Sequence, residues 1–322
     1  REAGTSHELP FGGRDEELAR LLAALDEDLG GTGRVVEVVG PTGIGKSRLV
    51  EEATDSIESV SLFEIRAEPY GKTSPYRAFR DTARRLLGVE RGDSETMAAA
   101  IVETVRAVTP HLEVLAPLLG RVAHVDMAPT PEVAAIEPRF LADRLADVVI
   151  EMLDVVLLDR TILIVDDAHW MDDASAQLLN RLAIATEGRS WAMVATRRPD
   201  DDGFRPADPI EIELGPLASE AVEAMVIEAT AAAPLRPHEV DVLVERCGGS
   251  PLFLEELLGV LRERGSIDAL PDSLDAVVGA SIDALPPLSR QVLRFAAVLG
   301  RSFRTVLLRK LLADDDITLD QA

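Results

Sequence analysis

Up to about residue 214, short apolar runs alternate with stretches whose apolar residues recur every three or four positions; beyond that point only the second pattern continues. Leu18, Leu21, Leu22 and Leu25 predict a helix over 14–25. The run RVVEVV, residues 34–39, is short, β-branched and followed by glycine, which predicts a strand. Leu49, Val50, Ala53 and Ile57 then return to helical spacing. SVSLFEIRA, residues 59–67, predicts a second strand, and residues 74–159 read mostly as helices. TILIVDD, residues 161–167, is a continuous apolar run ending in two aspartates, the pattern of a central parallel strand buried on both faces. A helix over 173–186, a strand over 190–199, a strand over 209–217 and a helix over 217–230 follow.

Strands alternating with helices predict an α/β class, with a parallel sheet, crossover connections and helices on both faces. The later segment predicts helices over 237–246, 251–264 and 272–285, then two more divided by Gly300. These shifts place boundaries near Pro216 and Pro286. The expected organisation is an α/β domain over 1–215, a smaller all-helical domain over 216–285 and a third segment over 286–322. No internal repeat or low-complexity tract is visible.

Between the first strand and its helix stands GPTGIGKS, residues 40–47, which satisfies the pattern G-x-x-x-x-G-K-[ST] in full. Gly40, Pro41, Thr42, Gly43, Ile44, Gly45, Lys46, Ser47 and Arg48 form the candidate nucleotide-binding stretch. Gly43 and Gly45 can adopt backbone angles that turn successive N–H groups inward as a nest for phosphate oxygens. The helix that starts near Lys46 adds its N-terminal partial charge. Lys46 is expected to reach the β- and γ-phosphates, and the Ser47 hydroxyl to ligate Mg²⁺. The required context is present, with a β-branched strand before the loop and an amphipathic helix after it. Asp166, at the end of the apolar run, is the second expected Mg²⁺ ligand, acting through water. Asp167 is the candidate to polarise an attacking water. Trp170 reads as a packing residue, and no zinc-ligand spacing occurs.

The charge balance narrows the partners. Fifty-seven acidic against 33 basic residues give a formal net charge of −24, which opposes binding to nucleic acid phosphates. A DNA-processing motor is disfavoured on that ground, and direct nucleic acid binding by this chain is not expected. The single cysteine, Cys247, excludes an internal disulfide and fits a reducing cytoplasm. No apolar run approaches the ~20 residues of a membrane helix, so no membrane partner is expected. Both ends read as cut from a longer protein.

Five stretches occur in order: FGGRDEELARLLAAL, GPTGIGKSRLVEEA, ILIVDDAHWMDDAS, ATRRP and CGGSPLFLEELL. Together they resemble the nucleotide-binding module of the STAND branch of AAA+-related ATPases, over essentially the whole chain. PYGKTSPYRAF and PHLEVLAPLLG resemble, more narrowly, the ATPase modules attached to bacterial class III adenylate/guanylate cyclases. Large LuxR-type regulators and some bacterial Ser/Thr kinases carry related modules. The resemblance implies that Gly13 and Arg14, matching the family's GR-x-x-E-L motif, lie near the adenine and ribose. The family usually has an aliphatic residue where Gly12 stands. It implies that Arg197 is the sensor arginine that reads the γ-phosphate, with Arg198 as an alternative. It implies that Pro251 packs near adenine; Pro251 also suits the first turn of a helix capped by Ser250. The tail, 285–312, resembles the start of a winged-helix domain.

The implied function is an ATP-binding switch, slowly hydrolysing ATP, that uses ATP/ADP and Mg²⁺ to control an effector in the same polypeptide. That effector is expected to be a nucleotide cyclase, with a DNA-binding or kinase domain as the alternative, and self-association is possible. A metabolic P-loop kinase is the less favoured reading. Asp166 lies 120 residues beyond Lys46 (166 minus 46), and no arginine-rich lid is recognisable.

Overall fold

A computed structural model describes residues 9–31, 34–68, 74–90, 92–157, 160–199, 203–267, 270–273, 276, 279, 282, 285–299, 307–309 and 312. The chain divides into two compact units. One comprises residues 15–42 and 46–214; the other comprises residues 1–14, 43–45 and 215–322.

The first unit is built on five strands, β1 (Val35–Val39), β2 (Ser61–Arg66), β3 (Thr161–Asp166), β4 (Trp191–Arg197) and β5 (Ile210–Glu213). They lie in the order β2-β3-β4-β1-β5, and every neighbouring pair is parallel. All residues of β1 and β4 are buried, including the polar Glu37, Thr196 and Arg197, as befits strands inside a parallel sheet. Helices α1 (Asp15–Leu29), α2 (Lys46–Ser56), α3 (Arg80–Leu86), α4 (Ser94–Val108), α5 (Ala116–Val122), α6 (Pro131–Ala134), α7 (Leu141–Val156) and α8 (Asp173–Ala185) supply the connections and cover the sheet. The helices between β2 and β3 place Ile101, Leu118 and Leu145 in one core with Phe63, Ile65, Leu163 and Val165 of the strands.

Local chemistry explains several ends. The Asp93 side chain caps α4 by accepting from the Thr96 N–H at 2.8 Å, and Asp172 caps α8 by accepting from Ser175 N–H at 2.9 Å. Helix α1 opens with Asp15, Glu16 and Glu17 against its positive N-terminal end. It ends at Leu29, where the stretch LGGTG of the sequence breaks the helical pattern. Asp28, in its last turn, is fully buried. Its carboxylate accepts backbone N–H groups from Arg34 at 2.7 Å and Met193 at 3.2 Å, tying the helix end to β4.

The second unit holds α9 (Ser219–Ala229), α10 (Pro237–Cys247), α11 (Pro251–Arg264) and α12 (Pro287–Leu299). Val222, Val226, Leu243, Leu254 and Leu257 form the core of its first three helices. Leu288, Val292, Phe295 and Leu299 line one side of α12 and pack with Leu308 and Leu312. Most of the helix expected over 272–285, and most of the segment after Gly300, lie outside the described residues.

Cys247 sits in this helical core at 3% exposure, and burial pushes its thiol pKa up. Little thiolate is therefore present at neutral pH, and that thiolate is shielded. A disulfide reagent is expected to label the native chain at least ~100-fold more slowly than the denatured chain. Equal rates in the two states would contradict the packing of α9, α10 and α11.

Candidate functional site

Because all five strands run in one direction, their carboxyl ends share one edge. Val39, Arg66, Asp166, Arg197 and Glu213 end there, the edge where ligands bind in open α/β sheets. The loop 40–45 leaves β1 at this edge and enters α2 at Lys46. Gly43 has φ +77° and Gly45 φ +99°, angles that side chains rarely tolerate, so the sequence-predicted turn of the backbone is realised. Lys46 is 8% exposed, and its Nζ donates to the Gly40 carbonyl at 2.8 Å and the Pro41 carbonyl at 2.9 Å. The ammonium thus rests on the inner wall of its own loop. Burial pushes its pKa below the usual lysine value; Asp167 and Asp166 pull it up, and Arg198 pushes it down. Arg48 turns along α2 to pair with Glu51 at 3.6 Å and Glu52 at 3.4 Å.

Asp166 and Ser47 meet although 119 residues separate them. The Ser47 hydroxyl donates to Asp166 Oδ1 at 2.9 Å. The same oxygen accepts from the Thr196 hydroxyl at 2.7 Å, and Thr196 Oγ1 in turn accepts the Asp167 N–H at 3.0 Å. Arg66 Nε approaches Asp166 Oδ2 at 3.3 Å from the end of β2. Asp167 itself is left-handed, with φ +56° and ψ +42°, a strained backbone for a non-glycine residue of the kind found at functional sites.

A hydroxyl and a carboxylate within 2.9 Å of each other, both reachable by solvent, fit Mg²⁺ bound through few protein oxygens, with substrate phosphate and water completing the shell. Among the described residues no group of three or more His, Cys, Asp or Glu forms a metal cage. The inward-turned loop with its buried lysine likewise fits a polyphosphate.

Arg197 has other partners. Its Nε donates to Glu37 Oε1 at 2.7 Å, and its Nη1 donates to the carbonyls of Arg198 at 2.8 Å and Pro199 at 3.2 Å. Glu37 and Arg197 are 3% and 6% exposed. The strand register explains the meeting: Glu37 pairs with Ala195, so Arg197 lies two residues further along on the same face. The Arg198 guanidinium lies over the Trp170 ring, 5.4 Å from its centroid. Trp170 also packs against the core of its unit, as its sequence context suggests.

The remaining predicted residues belong to the helical unit. Arg14 is buried and donates through Nη2 to the Gly215 carbonyl. A Cβ on Gly13 would lie 2.5 Å from the Ala221 Cβ, so this glycine is required by close packing on α9. Pro251 opens α11, and the Ser250 hydroxyl accepts from Phe253 N–H at 3.4 Å, the predicted cap.

Sequence reading missed Glu37, Thr196, Arg66 and Asp28. For Glu37 a signal existed, since a lone acid inside a strand buried on both faces needs a partner. Thr196 carries no such mark.

The model of the AAA ATPase domain family matches residues 10–193, which contain the loop, both aspartates and α8. An uncharacterised protein of Rhizobium meliloti (strain 1021) is 29% identical over 335 residues, covering 95% of this chain and 31% of that protein. The chain thus spans about a third of the length of that curated relative. Among solved structures, a signal transduction ATPase with numerous domains from Pyrococcus horikoshii, carrying a tetratricopeptide repeat sensor, is similar. Its TM-score is 0.47 at 16% identity, covering 97% of this chain and 39% of that one. A Walker-type ATPase of Pyrococcus abyssi has a TM-score of 0.42 at 15% identity, covering 95% and 85%. A five-stranded parallel sheet whose first strand feeds a phosphate loop and whose third ends in aspartates is the P-loop NTPase α/β fold. With these features inside the stretch that the family model matches, the chain belongs to the AAA ATPase domain family.

Proposed function

We propose that this chain is the nucleotide-driven switch of a larger signalling protein of the STAND type, binding ATP·Mg²⁺ and hydrolysing it slowly. The observation that carries the reading is the hydrogen-bonded chain Ser47–Asp166–Thr196–Asp167 beside a buried Lys46. It gathers at one strand edge the groups that hold phosphates, a divalent cation and a water. Lys46 and the N–H groups of the loop bind the phosphates. Ser47 and Asp166 would hold Mg²⁺, which would supply positive charge to offset that of the phosphates. Asp167 orients a water for attack on the γ-phosphorus and receives its proton as the new P–O bond forms; the bond to the β-phosphate oxygen breaks and ADP leaves. Thr196, which contacts both aspartates, keeps them in register.

ATP and ADP then stabilise different arrangements in proportion to their differential affinity. The output passes to an effector elsewhere in the polypeptide. The cyclase-like stretches noted in the sequence favour a nucleotide cyclase over a DNA-binding or kinase domain.

The test is steady-state ATP hydrolysis with Mg²⁺ by this chain and by Asp167→Asn, with nucleotide binding measured on both. The variant is expected to bind ATP as the parent does and to lose turnover by roughly 100-fold or more. Unchanged turnover would remove Asp167 from the reaction. Absence of both binding and turnover in the parent would sink the ATPase reading itself.

A further inference from the structure

We propose that Arg66 is a positioning residue that opposes a divalent cation at Asp166 and so sets how strongly nucleotide binding depends on magnesium. The proposal rests on the nucleotide-binding reading above and concerns the regulation of that same site.

Strand register brings the two side chains together. β2 runs parallel to β3, and Arg66 is paired directly with Asp166. Residues paired in this way point to the same face of the sheet. Phe63 and Ile65 turn to the other face of β2 and are buried, so Leu62, Glu64 and Arg66 occupy its exposed face. β2 is also an edge strand, which leaves the arginine open to water. There its Nε lies 3.3 Å from Asp166 Oδ2.

The two carboxylate oxygens have different partners. Oδ1 accepts the Ser47 and Thr196 hydroxyls, at 2.9 Å and 2.7 Å. Oδ2 faces the guanidinium. The Asp166 side chain is 16% exposed and that of Arg66 61%, so a carboxylate fixed by two hydroxyls meets an arginine that swings in from solvent. A pair so open to water is weak, and it leaves the site accessible. It nevertheless acts on any cation that draws on the same carboxylate. Mg²⁺ would share Asp166 with a positive charge already beside it, and the two cations repel. Arg66 cannot relieve that repulsion by losing a proton, because a guanidinium stays charged at any working pH. In the metal-free chain the same charge steadies Asp166 at a strand end that carries a second aspartate, Asp167. The contact thus favours the metal-free arrangement and weakens the hold on the metal.

Calorimetric titration with ADP, in excess Mg²⁺ and again in EDTA, tests this on the chain as it stands. The ratio of the two affinities measures the coupling between metal and nucleotide on the protein. Arg66→Gln is expected to raise that ratio at least ~3-fold, and Arg66→Glu to raise it further. Arg66→Lys, which keeps the charge, should stay near the parent. Arg106→Gln removes a charge that is paired with Glu113 instead, and is expected to leave the ratio unchanged. A merely structural role for Arg66 would lower both affinities together and would not raise the ratio. The proposal is overturned if the ratio stays flat or falls across Arg66→Gln and Arg66→Glu while Lys46→Ala loses ADP; the nucleotide reading then stands without it. It is equally overturned if Arg66→Gln weakens ADP by the same factor in Mg²⁺ and in EDTA, since Arg66 would then act on the phosphates. If the parent binds ADP in neither condition, the functional reading and this proposal fall together.

Discussion

Lys46→Ala is expected to weaken ATP and ADP alike, by roughly 100-fold, with little change in folding stability. The Lys46 ammonium is buried within its own loop, held by the Gly40 and Pro41 carbonyls and drawn by Asp167 and Asp166. A phosphate group competes well for it, since a full negative charge is a better acceptor than two carbonyl dipoles. A hydrogen bond to a charged group contributes about 1.5–3 kcal/mol net, and 1.4 kcal/mol is tenfold in affinity. Both nucleotides carry the β-phosphate that the proposed function assigns to Lys46, so both are expected to suffer. That common loss is the mark of a side chain that acts on the phosphate shared by both nucleotides. Lys46→Met keeps an unbranched apolar stem and should show the same binding loss, which removes packing as the explanation. Titration of each variant with ADP and with a non-hydrolysable ATP analogue decides the point. Parent-like affinity in both variants would show that the loop does not hold the nucleotide through this side chain.

Glu37→Ala is expected to cost about 3–5 kcal/mol of folding stability, far more than an ordinary surface substitution. Glu37 lies in β1, which has β4 on one side and β5 on the other, so its carboxylate has no easy route to solvent. Its removal leaves the Arg197 guanidinium buried without its counter-charge. The loss should appear as a lower midpoint in urea unfolding of the nucleotide-free chain. The double variant Glu37→Leu/Arg197→Met should recover most of it, because apolar groups of similar volume need no partner inside the sheet. An additive, still larger loss in the double variant would mean that the pair is not the source of the effect.

The α/β alternation was legible because it rests on local periodicity. A parallel strand covered on both faces must be apolar throughout, as Ile162, Leu163 and Val165 are, and a covering helix must repeat its apolar residues at helical spacing. The phosphate loop was legible for a related reason. Its turn, its inward N–H groups and its helix start lie within one short stretch, so spacing alone specifies them. The burial of Asp28 was not legible, because it depends on backbone donors from Arg34 and from Met193, a residue of another strand.

By itself, the sequence determined the phosphate loop, the two aspartates at a strand end and the break in pattern near residue 214. Only the tertiary structure decided that β4 stands between β1 and β3. That insertion brings Thr196 to both aspartates, brings Glu37 to Arg197 across 160 residues, and turns Arg198 toward Trp170. The physical reason is that apolar periodicity encodes which face of an element is covered, while backbone hydrogen bonds between parallel strands are the same whichever strands are paired. Neighbourhood in the sheet comes from the packing of the whole unit. The opposite partners of Thr196 and Arg197 follow from that neighbourhood and from the alternation of side chains along one strand.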